Sequence, residues 1–383
     1  MTTDHASIDG ILRGGSSRGR RVCIVGGGIG GLTAALAFAR AGAQVEVHEQ
    51  AAEFSEVGAG IQITPNGARV LEALGLGPAL DAIGITAQAV EPMDALTGRA
   101  VTRFDLGQLS GPPYRFVHRA ALIDVLASAC ADAKVDLHLG SQRLAAEMEA
   151  DLVIGAEGIH SVTRAELNGG QDPFFTGQVA WRAIVDAPDA DPVARVWMAP
   201  RRHIVTYPLR GGRLNIVAVQ ERQQWAAEGW NHGEDAGNLR HAFRDVSGLL
   251  RGTLEKVEDV SIWGLFRHPV ADVWGRDGLC ILGDAAHPTL PFLAQGANLA
   301  IEDAFVLAAC CDRDFDAALA QYQAVRKPRV ARAIAAANAN ARKYHLSGVA
   351  RGVAHLGLRT LGAVAPSAFL GRMDWLYGHD VTV

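Results

Sequence analysis

Apolar and polar residues follow two different periods along the first fifty positions of the chain. Residues 21–25 form a short apolar, β-rich run that opens directly into a series of glycines. Residues 32–40 then have the Leu- and Ala-rich composition of a helix, and Gly42 follows as a typical helix terminator. Residues 45–49 alternate apolar and polar positions, as a strand does. This order predicts a βαβ unit within about 30 residues.

The character of the sequence changes twice after this unit. Two helices and a buried strand are predicted at residues 65–76, 120–133 and 151–154. From about 172 to 270, alternating segments predict an antiparallel sheet. A buried strand returns at 280–282, and the alanine-rich residues 297–360 are mostly helical. The pattern therefore predicts an α/β protein, in which a Rossmann-like domain is assembled from both ends of the chain and a mainly antiparallel β-sheet domain is inserted into it.

The same pattern gives domain boundaries. Residues 1–20 are polar and are expected to form a disordered tail. The nucleotide-binding domain is expected at residues 21–80, 105–171 and 272–345. The inserted substrate domain is expected at residues 81–104 and 172–271, and a C-terminal helical segment at residues 346–383.

Composition narrows the class of protein. The chain has 383 residues, of which 49% are hydrophobic and 20% charged, and its net charge of -5 gives no reason to expect nucleic acid as a partner. No apolar run is long enough for a membrane span. The five cysteines form no C-x-x-C pair, which favours a reducing, cytoplasmic setting. We expect a monomer or a homodimer without a metal site.

The glycines after the first strand fit the pattern G-x-G-x-x-G through Gly26, Gly28 and Gly31. In this fingerprint the first glycine makes a tight turn, the second lets the backbone approach a pyrophosphate, and the third lets helix and strand pack closely. Glu49 ends the next strand, where a carboxylate binds a ribose diol. The fingerprint alone does not choose between NAD and FAD. Cofactor contacts are expected from Gly26, Gly28, Ile29, Gly30, Gly31, Glu49 and Gln50.

Two further stretches make the choice. Residues 151–161 read DLVIGAEGIHS, and residues 282–288 read LGDAAHP. With the fingerprint they resemble the three signatures of the FAD-dependent monooxygenases that hydroxylate aromatic rings, a family that includes salicylate hydroxylase, 3-hydroxybenzoate 6-hydroxylase and 6-hydroxynicotinate monooxygenase. The resemblance covers residues 20 to 380. It implies the fold of para-hydroxybenzoate hydroxylase, with bound FAD and NADH or NADPH as co-substrate.

The resemblance also implies a reaction. A small aromatic or heteroaromatic substrate, expected to be a phenolic acid, would be hydroxylated with molecular oxygen by way of a flavin hydroperoxide. The family's cofactor residues map onto this sequence at Gly60, Arg119, Glu157, Gly158, Gly283, Asp284, Pro291, Gly296, Ala297 and Asn298. Asp284 would bind the ribityl chain of FAD, and residues 291–298 open a helix whose N–H groups would stabilise negative charge on the reduced flavin. Residues 54–66 match the family's stretch that runs past the flavin.

Two departures from the family pattern stand out. The family usually has aspartate before Gly158, where this chain has Glu157, which puts the use of a pyridine nucleotide in question. The segment between residues 139 and 151 is shorter than the family's β-hairpin, and residues 144–150 look helical. A non-catalytic FAD-binding homologue therefore stays open as an alternative.

His203 and Tyr207 lie four residues apart on a predicted strand, so their side chains share one face. They resemble the histidine and tyrosine that line the family's substrate pocket, and Gln295 matches a pocket glutamine. We predict His203 as the base or proton relay, with Tyr207 and Gln295 orienting the substrate. Buried structural roles for His203 and Tyr207 explain the pattern almost as well.

Other choices remain open on the substrate side. Arg182 or Arg213 would receive a carboxylate, and the sequence does not choose between them. Trp181 and Trp197 are expected to pack rather than to contact substrate, and residues 374–380 to dock as a terminal segment. A plain NAD-dependent dehydrogenase and a hydroxylase of quinolones or other heteroaromatics are the competing functions.

Overall fold

Three β-sheets organise the chain in the computed structural model, which describes residue 12 and residues 14–54, 60–223, 232–364 and 371–383. The first sheet holds strands β1 (Arg21–Val25), β2 (Gln44–His48), β8 (Asp136–His138), β9 (Leu152–Gly155), β16 (Gly275–Arg276) and β17 (Leu279–Ile281). Their order is β16–β17–β9–β1–β2–β8, and all neighbours except β16 and β17 are parallel. The strands come from both ends of the chain, as the apolar pattern predicts.

Helices cover this parallel sheet. They are α1 (Ile29–Arg40), α4 (Arg119–Asp132), α5 (Val162–Asn168), α8 (Gly296–Arg313) and α9 (Ala318–Tyr344). Helix α1 packs against α4 and α8, and α8 packs against α9. Because β1 is apolar at four consecutive positions, it is buried on both faces, as a central parallel strand must be.

The second sheet forms the inserted domain. Its strands are β5 (Ala89–Asp94), β6 (Phe104–Asp105), β10 (Phe174–Asp186), β11 (Val193–Ala199), β12 (Arg202–Leu209), β13 (Arg213–Glu221), β14 (His232–Glu234) and β15 (Val260–Arg267). They lie in the order β14–β15–β10–β13–β12–β11–β5–β6, and only β5 and β11 pair in parallel. One face packs on α6 (Ala236–Ala242) and α7 (Gly248–Glu255) through an apolar cluster that includes Trp181 and Phe243. The predicted fold class is confirmed.

A small third sheet, which the alternation pattern does not predict, joins β3 (Gly60–Ile63), β4 (Gly84–Thr86) and β7 (Arg115–His118). Helices α2 (Pro65–Ala73) and α3 (Gly77–Ile83) lie between its first two strands along the chain. Strand β4 falls within the segment 81–104 that we expected in the inserted domain, but it pairs with β7 instead. Strands of three or four residues are too short to show a period, which is why sequence reasoning missed this sheet.

The described residues near both ends of the chain pack on the first domain. Of the expected disordered tail, residues 1–11 and 13 lie outside the described residues. Residues 14–20 make defined contacts instead: the Ser16 N–H donates to the Asp312 carbonyl at 2.8 Å, and Ser17 is fully buried. At the other end, α10 (Gly348–Val364) and α11 (Asp374–Tyr377) follow α9. Leu376 is fully buried, and Arg329 donates to the carbonyl of Trp375 at 2.9 Å, so the predicted docking of residues 374–380 is confirmed.

The structure also describes the short segment before β9, the cysteines and the lengths of the helices. Residues 139–151 contain no strand, and a single 3-10 turn at Ala145–Glu147 matches the helical character predicted there. All five cysteines are buried and free. In the described part of the chain, no helix is both long enough and apolar enough to cross a membrane.

Candidate active site

A cavity of about 470 Å³ lies between the parallel sheet and the open face of the eight-stranded sheet. Fourteen of the twenty residues predicted for the site line it: Gly28, Ile29, Gly30, Gly60, Arg119, Gly158, His203, Tyr207, Gly283, Asp284, Pro291, Gln295, Gly296 and Ala297. They come from separate stretches of the sequence that the fold brings together. The other six are Gly26, Gly31, Glu49, Gln50, Glu157 and Asn298, which lie outside the lining.

Two of the fingerprint glycines, Gly26 and Gly31, pack closely against neighbouring backbone and so shape the loop between β1 and α1. Gly26 has a φ of +109°, and a Cβ there would lie 2.4 Å from the Ala156 carbonyl oxygen. A Cβ on Gly31 would lie 1.9 Å from the Gly26 carbonyl oxygen. Gly28, by contrast, has open space where its Cβ would be, and it faces the cavity at the start of α1. The glycines thus expose the positive end of α1 to the cavity, as phosphate binding requires.

Glu49 holds this loop in place. Its carboxylate accepts hydrogen bonds from the Gly27 N–H at 2.7 Å and from the Ala51 N–H at 2.9 Å. Gln50, its neighbour, is exposed. In this structure Glu49 therefore stabilises the fingerprint turn, and a ribose contact remains a prediction.

Asp284 lies where the third motif meets the cavity. It follows β17 in a 3-10 turn at Gly283–Ala285. Burial raises the pKa of its carboxyl group, while His287 and Arg119 act in the opposite direction. A carboxylate held at this edge with Arg119 nearby suits a polyhydroxylated chain, because it accepts hydrogen bonds from hydroxyl groups.

The N-terminus of α8 supplies a second positive helix end. The first hydrogen bond of this helix runs from the Leu299 N–H to the Gln295 carbonyl at 2.8 Å, so the N–H groups of residues 296–298 have no partner within the helix. Gly296 and Ala297 line the cavity there. Asn298 is fully buried and connects α8 to β3, since its amide nitrogen donates to the Gln62 carbonyl at 2.9 Å and its Oδ1 accepts from the Thr64 N–H at 3.0 Å.

A buried ionic cluster anchors α8 below the cavity. Arg326 donates to Glu302 at 2.5 Å and to Asp303 at 2.7 Å, and all three side chains are fully buried. Burial raises the pKa of Asp303, but His287 and Arg326 outweigh it and lower the pKa to about 2. Asn66 connects the cluster to the cavity, because its amide nitrogen donates to Glu302 at 2.6 Å and to Gln295 at 3.1 Å. This chain of contacts fixes the side chain of Gln295.

Glu157 is turned away from the cavity. Its carboxylate accepts hydrogen bonds from the Ser161 hydroxyl and, at 3.4 Å, from the Thr163 N–H at the start of α5. Ser161 in turn caps α5 by accepting from the Arg164 N–H at 3.0 Å. The longer side chain of glutamate reaches this helix end, so Glu157 has a local structural role here.

The opposite wall of the cavity is the open face of the eight-stranded sheet. His203, Val205 and Tyr207 alternate along β12 and all line the cavity, as their spacing predicts. Val205 pairs with Val217, and Val217 pairs with Arg182 on the next strand. The polar side chains of His203, Tyr207 and Arg182 thus lie on one face of the sheet, with the apolar residues Val205 and Val217 between them.

The two arginines that the sequence left open lie in different surroundings. Arg182 lines the cavity, and its guanidinium lies 4.4 Å from the ring centroid of Trp263. Arg213 is exposed and its Nε donates to the Arg210 carbonyl at 3.4 Å. Trp181 and Trp197 are buried in the apolar cluster on the other face of the sheet, which confirms that they pack.

His203 is nearly inaccessible to solvent, at 1% exposure, and its Nδ1 lies 2.8 Å from the Nε2 of His345. Burial, and then the proximity of His345, hold the pKa of His203 well below its usual range. The imidazole is therefore neutral at physiological pH, as a general base must be. His345 has no motif around it, so sequence reasoning missed this contact.

Tyr207 completes the wall. It stacks on Phe116 at 5.2 Å, and a Cβ on Gly60 would lie 2.7 Å from its ring. Only glycine leaves room for Tyr207 at that point, and the Gly60 N–H donates to Asn215 at 2.8 Å. Residues 55–59 of the matching stretch, including Gly58 and Ala59, lie outside the described residues.

One group resembles a metal site. Ligand atoms of Cys23, Glu46 and His48 lie within 4.8 Å of one another. Burial, then Glu46, raises the pKa of the Cys23 thiol to about 12, and the Nδ1 of His48 binds the Ser141 hydroxyl at 2.9 Å. Hydrogen bonds among these side chains explain the group without an ion.

The cavity residues fit FAD: two positive helix ends, a glycine with open space at its Cβ, and a carboxylate with an arginine near it. The family model described as "FAD binding domain" matches residues 20–145 and 131–337. A relative from Klebsiella oxytoca, 3-hydroxybenzoate 6-hydroxylase, is 35% identical over 94% of this chain and 96% of its own. The chain belongs to the FAD-binding aromatic hydroxylases.

Other members of the family cover most of this chain too. The 3-amino-4-hydroxybenzoate 2-monooxygenase of Streptomyces cremeus is 36% identical over 85% of this chain and 88% of its own. Among solved structures, a salicylate hydroxylase substrate complex has a TM-score of 0.78 at 22% identity, covering 94% of this chain and 96% of that one. This likeness supports the fold. The resemblance drawn from the three motifs is confirmed.

Proposed function

We propose that this FAD-binding aromatic hydroxylase acts on a small aromatic or heteroaromatic acid with a ring hydroxyl group, using NADH or NADPH and molecular oxygen. The observation that carries the proposal is the placement of His203, Tyr207 and Arg182 on one wall of the cavity that the flavin motifs line. A base and a cation on one wall suit a substrate with an acidic hydroxyl at one end and a carboxylate at the other.

Arg182 is the residue suited to bind the carboxylate of this substrate. It lies two strands away from Val205, and its stacking on Trp263 limits the directions in which the guanidinium can point. A guanidinium binds a carboxylate through two parallel N–H bonds, which fixes both position and orientation. An aromatic acid bound there would extend along the sheet.

His203 is the residue suited to bind the ring hydroxyl of the substrate. A neutral imidazole accepts the phenolic proton, and the resulting phenolate is a more electron-rich ring. Tyr207 and Gln295, whose side chains are held by Phe116 and Asn66, are suited to orient the ring by hydrogen bonds. No covalent nucleophile is needed for this role.

FAD, when bound, supplies the acceptance of hydride from the nicotinamide and the activation of oxygen. The residues that would hold it are Gly28, Arg119, Asp284, Gly296 and Ala297. Val205, Val217 and Leu265 contribute apolar side chains to the cavity, and these limit the water that reaches the reacting groups.

The names of the relatives support the same substrate class. The two relatives above are named for 3-hydroxybenzoate and 3-amino-4-hydroxybenzoate, both benzoic acids with a ring hydroxyl. A third, from Bordetella bronchiseptica, is named for 6-hydroxynicotinate, a heteroaromatic acid, and is 31% identical over 82% of this chain. These three compounds are the natural first panel.

The test is oxygen consumption by the FAD-loaded protein with NADH or NADPH and this panel, with hydrogen peroxide measured in parallel. We expect an acid of the panel to stimulate oxygen uptake with little peroxide, because the substrate is hydroxylated. Tight FAD binding without stimulated nicotinamide oxidation by any hydroxylated aromatic acid would instead support a non-catalytic flavoprotein.

The role of Arg182 is tested by Arg182→Gln, with Arg213→Gln as the matched control on the neighbouring strand. A charge-assisted hydrogen bond is worth about 1.5–3 kcal/mol, so the KM for an aromatic acid should rise about 10- to 150-fold in the first variant. The control should stay within about twofold of the wild type. If Arg182→Gln affected 3-hydroxybenzyl alcohol, which lacks the carboxylate, as strongly as 3-hydroxybenzoate, Arg182 would not bind the acid.

A further inference from the structure

A chain of three side chains connects the cavity wall to the surface of the protein. The Nδ1 of His203 lies 2.8 Å from the Nε2 of His345, and the Nδ1 of His345 lies 2.8 Å from a carboxylate oxygen of Glu221. His203 lines the cavity, His345 is buried, and the side chain of Glu221 is 35% exposed. The chain therefore begins at the candidate substrate and ends at solvent.

Backbone hydrogen bonds hold the three elements together. His203 lies near the start of β12, Glu221 ends the paired strand β13, and His345 follows α9. The Arg201 N–H donates to the His345 carbonyl at 3.1 Å, and the Glu221 N–H donates to the Arg201 carbonyl at 3.0 Å. These bonds fix the spacing of the side chains without relying on the side chains themselves.

The order of the groups determines where their protons lie. A carboxylate only accepts hydrogen bonds, so the Nδ1 of His345 must carry a proton and donate it to Glu221. The Nε2 of His345 is then an acceptor, and the Nδ1 of His203 must donate to it. The Nε2 of His203 is left without a proton, and it is the ring nitrogen available to the cavity.

We propose that His345 and Glu221 are positioning residues that set the tautomer of His203 and form a relay for the substrate's phenolic proton. The proposal rests on the proposed function, since the proton comes from the hydroxyl group of the aromatic substrate. It adds two residues for which the flavin motifs give no signal.

Each step of the relay moves one proton and no electrons. The phenolic O–H bond breaks as its proton bonds to the Nε2 of His203. The proton on the Nδ1 of His203 passes to the Nε2 of His345, and the proton on the Nδ1 of His345 passes to Glu221 and then to water. The chain is reset when the product oxygen takes a proton back from the Nε2 of His203 and each proton returns one step.

The surroundings of the chain favour transfer over storage of the proton. Burial, and then the neighbouring histidine, lower the pKa of His203; burial also lowers the pKa of His345, with Glu221 acting against it. Other titratable or charged groups nearby include Tyr344, 5.4 Å from the ring of His203, and Arg201, whose Nε lies 3.2 Å from the second oxygen of Glu221. Because burial disfavours a charged imidazolium, a proton accepted at His203 is expected to pass to His345 rather than stay.

The variants His345→Gln and Glu221→Gln test the relay. Glutamine keeps a hydrogen-bonding side chain at each position but does not pass a proton along the chain. The matched control is His355→Gln on α10, since His355 has the same 7% exposure as His345 and lies 3.5 Å from the carboxylate of Asp94, outside the cavity lining.

The measurement is stopped-flow absorbance with the FAD-loaded protein and 3-hydroxy-4-nitrobenzoate, a probe whose phenolate is coloured. It is made in dilute buffer at a pH below the probe's own pKa, where the probe enters as the phenol. We expect His345→Gln and Glu221→Gln to slow phenolate formation at least tenfold while their FAD content stays unchanged. The control variant His355→Gln should form the phenolate at the wild-type rate. Above the probe's pKa, where it binds as the phenolate, all variants should bind it within twofold of the wild type.

The outcomes separate the relay from the proposed function. If the wild type ionises the probe and both variants ionise it equally fast, the relay is wrong and the proposed function stands. If the wild type neither binds nor ionises the probe and no hydroxylated aromatic acid stimulates oxygen uptake, the proposed function fails and the relay with it. Should His345→Gln fail to fold, Glu221→Gln carries the same test, because its side chain lies partly in solvent.

Discussion

Replacing Gly31 with alanine should damage the fold itself, before any cofactor binds. The new Cβ would lie 1.9 Å from the carbonyl oxygen of Gly26, whereas real Cβ atoms essentially never approach closer than 3.0 Å. The obstacle is backbone, so α1 would have to withdraw from β1 by about 1 Å or more. Overpacking of this kind costs about 1–3 kcal/mol, and we expect the apoprotein to lose at least that much free energy of unfolding.

Gly28→Ala is the matched comparison, because the same methyl group is added three residues earlier. A Cβ there meets nothing within 4 Å, and the residue is extended with a φ of -73°. Alanine is a poorer N-cap than glycine, so the apoprotein should lose at most about 1 kcal/mol. The methyl group enters the space in front of α1, where the phosphates of FAD would bind, so we expect FAD affinity to fall at least about tenfold.

Urea unfolding with and without FAD separates the two effects. At 100 times the wild-type Kd, FAD should add about 2.7 kcal/mol to the wild type, but only about 1.4 kcal/mol to Gly28→Ala if its Kd rises tenfold. Gly31→Ala should already be destabilised without FAD. Wild-type stability of apo Gly31→Ala, or wild-type FAD affinity of Gly28→Ala, would refute this account of the fingerprint.

Two further predictions concern stability. Arg326→Leu removes the arginine bonded to Asp303 and one of the two arginines bonded to Glu302, which keeps Arg329, so urea unfolding should show a loss of about 3–5 kcal/mol. A loss below about 1 kcal/mol would mean that Arg329 and His287 are sufficient partners for the two carboxylates. Lowering the pH should destabilise the protein from about pH 6.5 downward, because the buried His203 and His345 have lowered pKa values and the unfolded chain then binds more protons. Each such histidine lowers the free energy of unfolding by up to about 1.4 kcal/mol per pH unit. Asp303, with a pKa of about 2, does not titrate in that range. A thermal midpoint that stays constant from about pH 8 to pH 5 would therefore contradict this reasoning.

Much of the flavin half of the site could be predicted from the sequence. Gly26, Gly28 and Gly31 lie within one turn that follows a strand and opens a helix, so their geometry depends on neighbours in the chain. Asp284 and the residues before α8 are likewise placed by a strand end and a helix start. His203 and Tyr207 share a face because a strand alternates with a period of two. Each of these placements follows from local backbone geometry.

Other features were decided only when distant segments met. Arg182 and Arg213 have equal standing in the sequence, and the pairing of β10 with β13 and β15 places one over the cavity and leaves the other exposed. Glu157 lies inside a cofactor motif, yet its carboxylate binds the start of α5 because its longer side chain reaches Ser161.

The contact between His203 and His345 shows most plainly what the sequence did not decide. The two residues are 142 positions apart, and one of them follows a long helix that carries no motif. The sequence by itself determined the fold class and the flavin-binding turns, because these depend on periodicity and on the conformations open to a few adjacent residues. Which side chains line the cavity, and which contacts lead from its wall to the surface, was decided by tertiary packing, since contacts between remote segments leave no period or spacing in the chain.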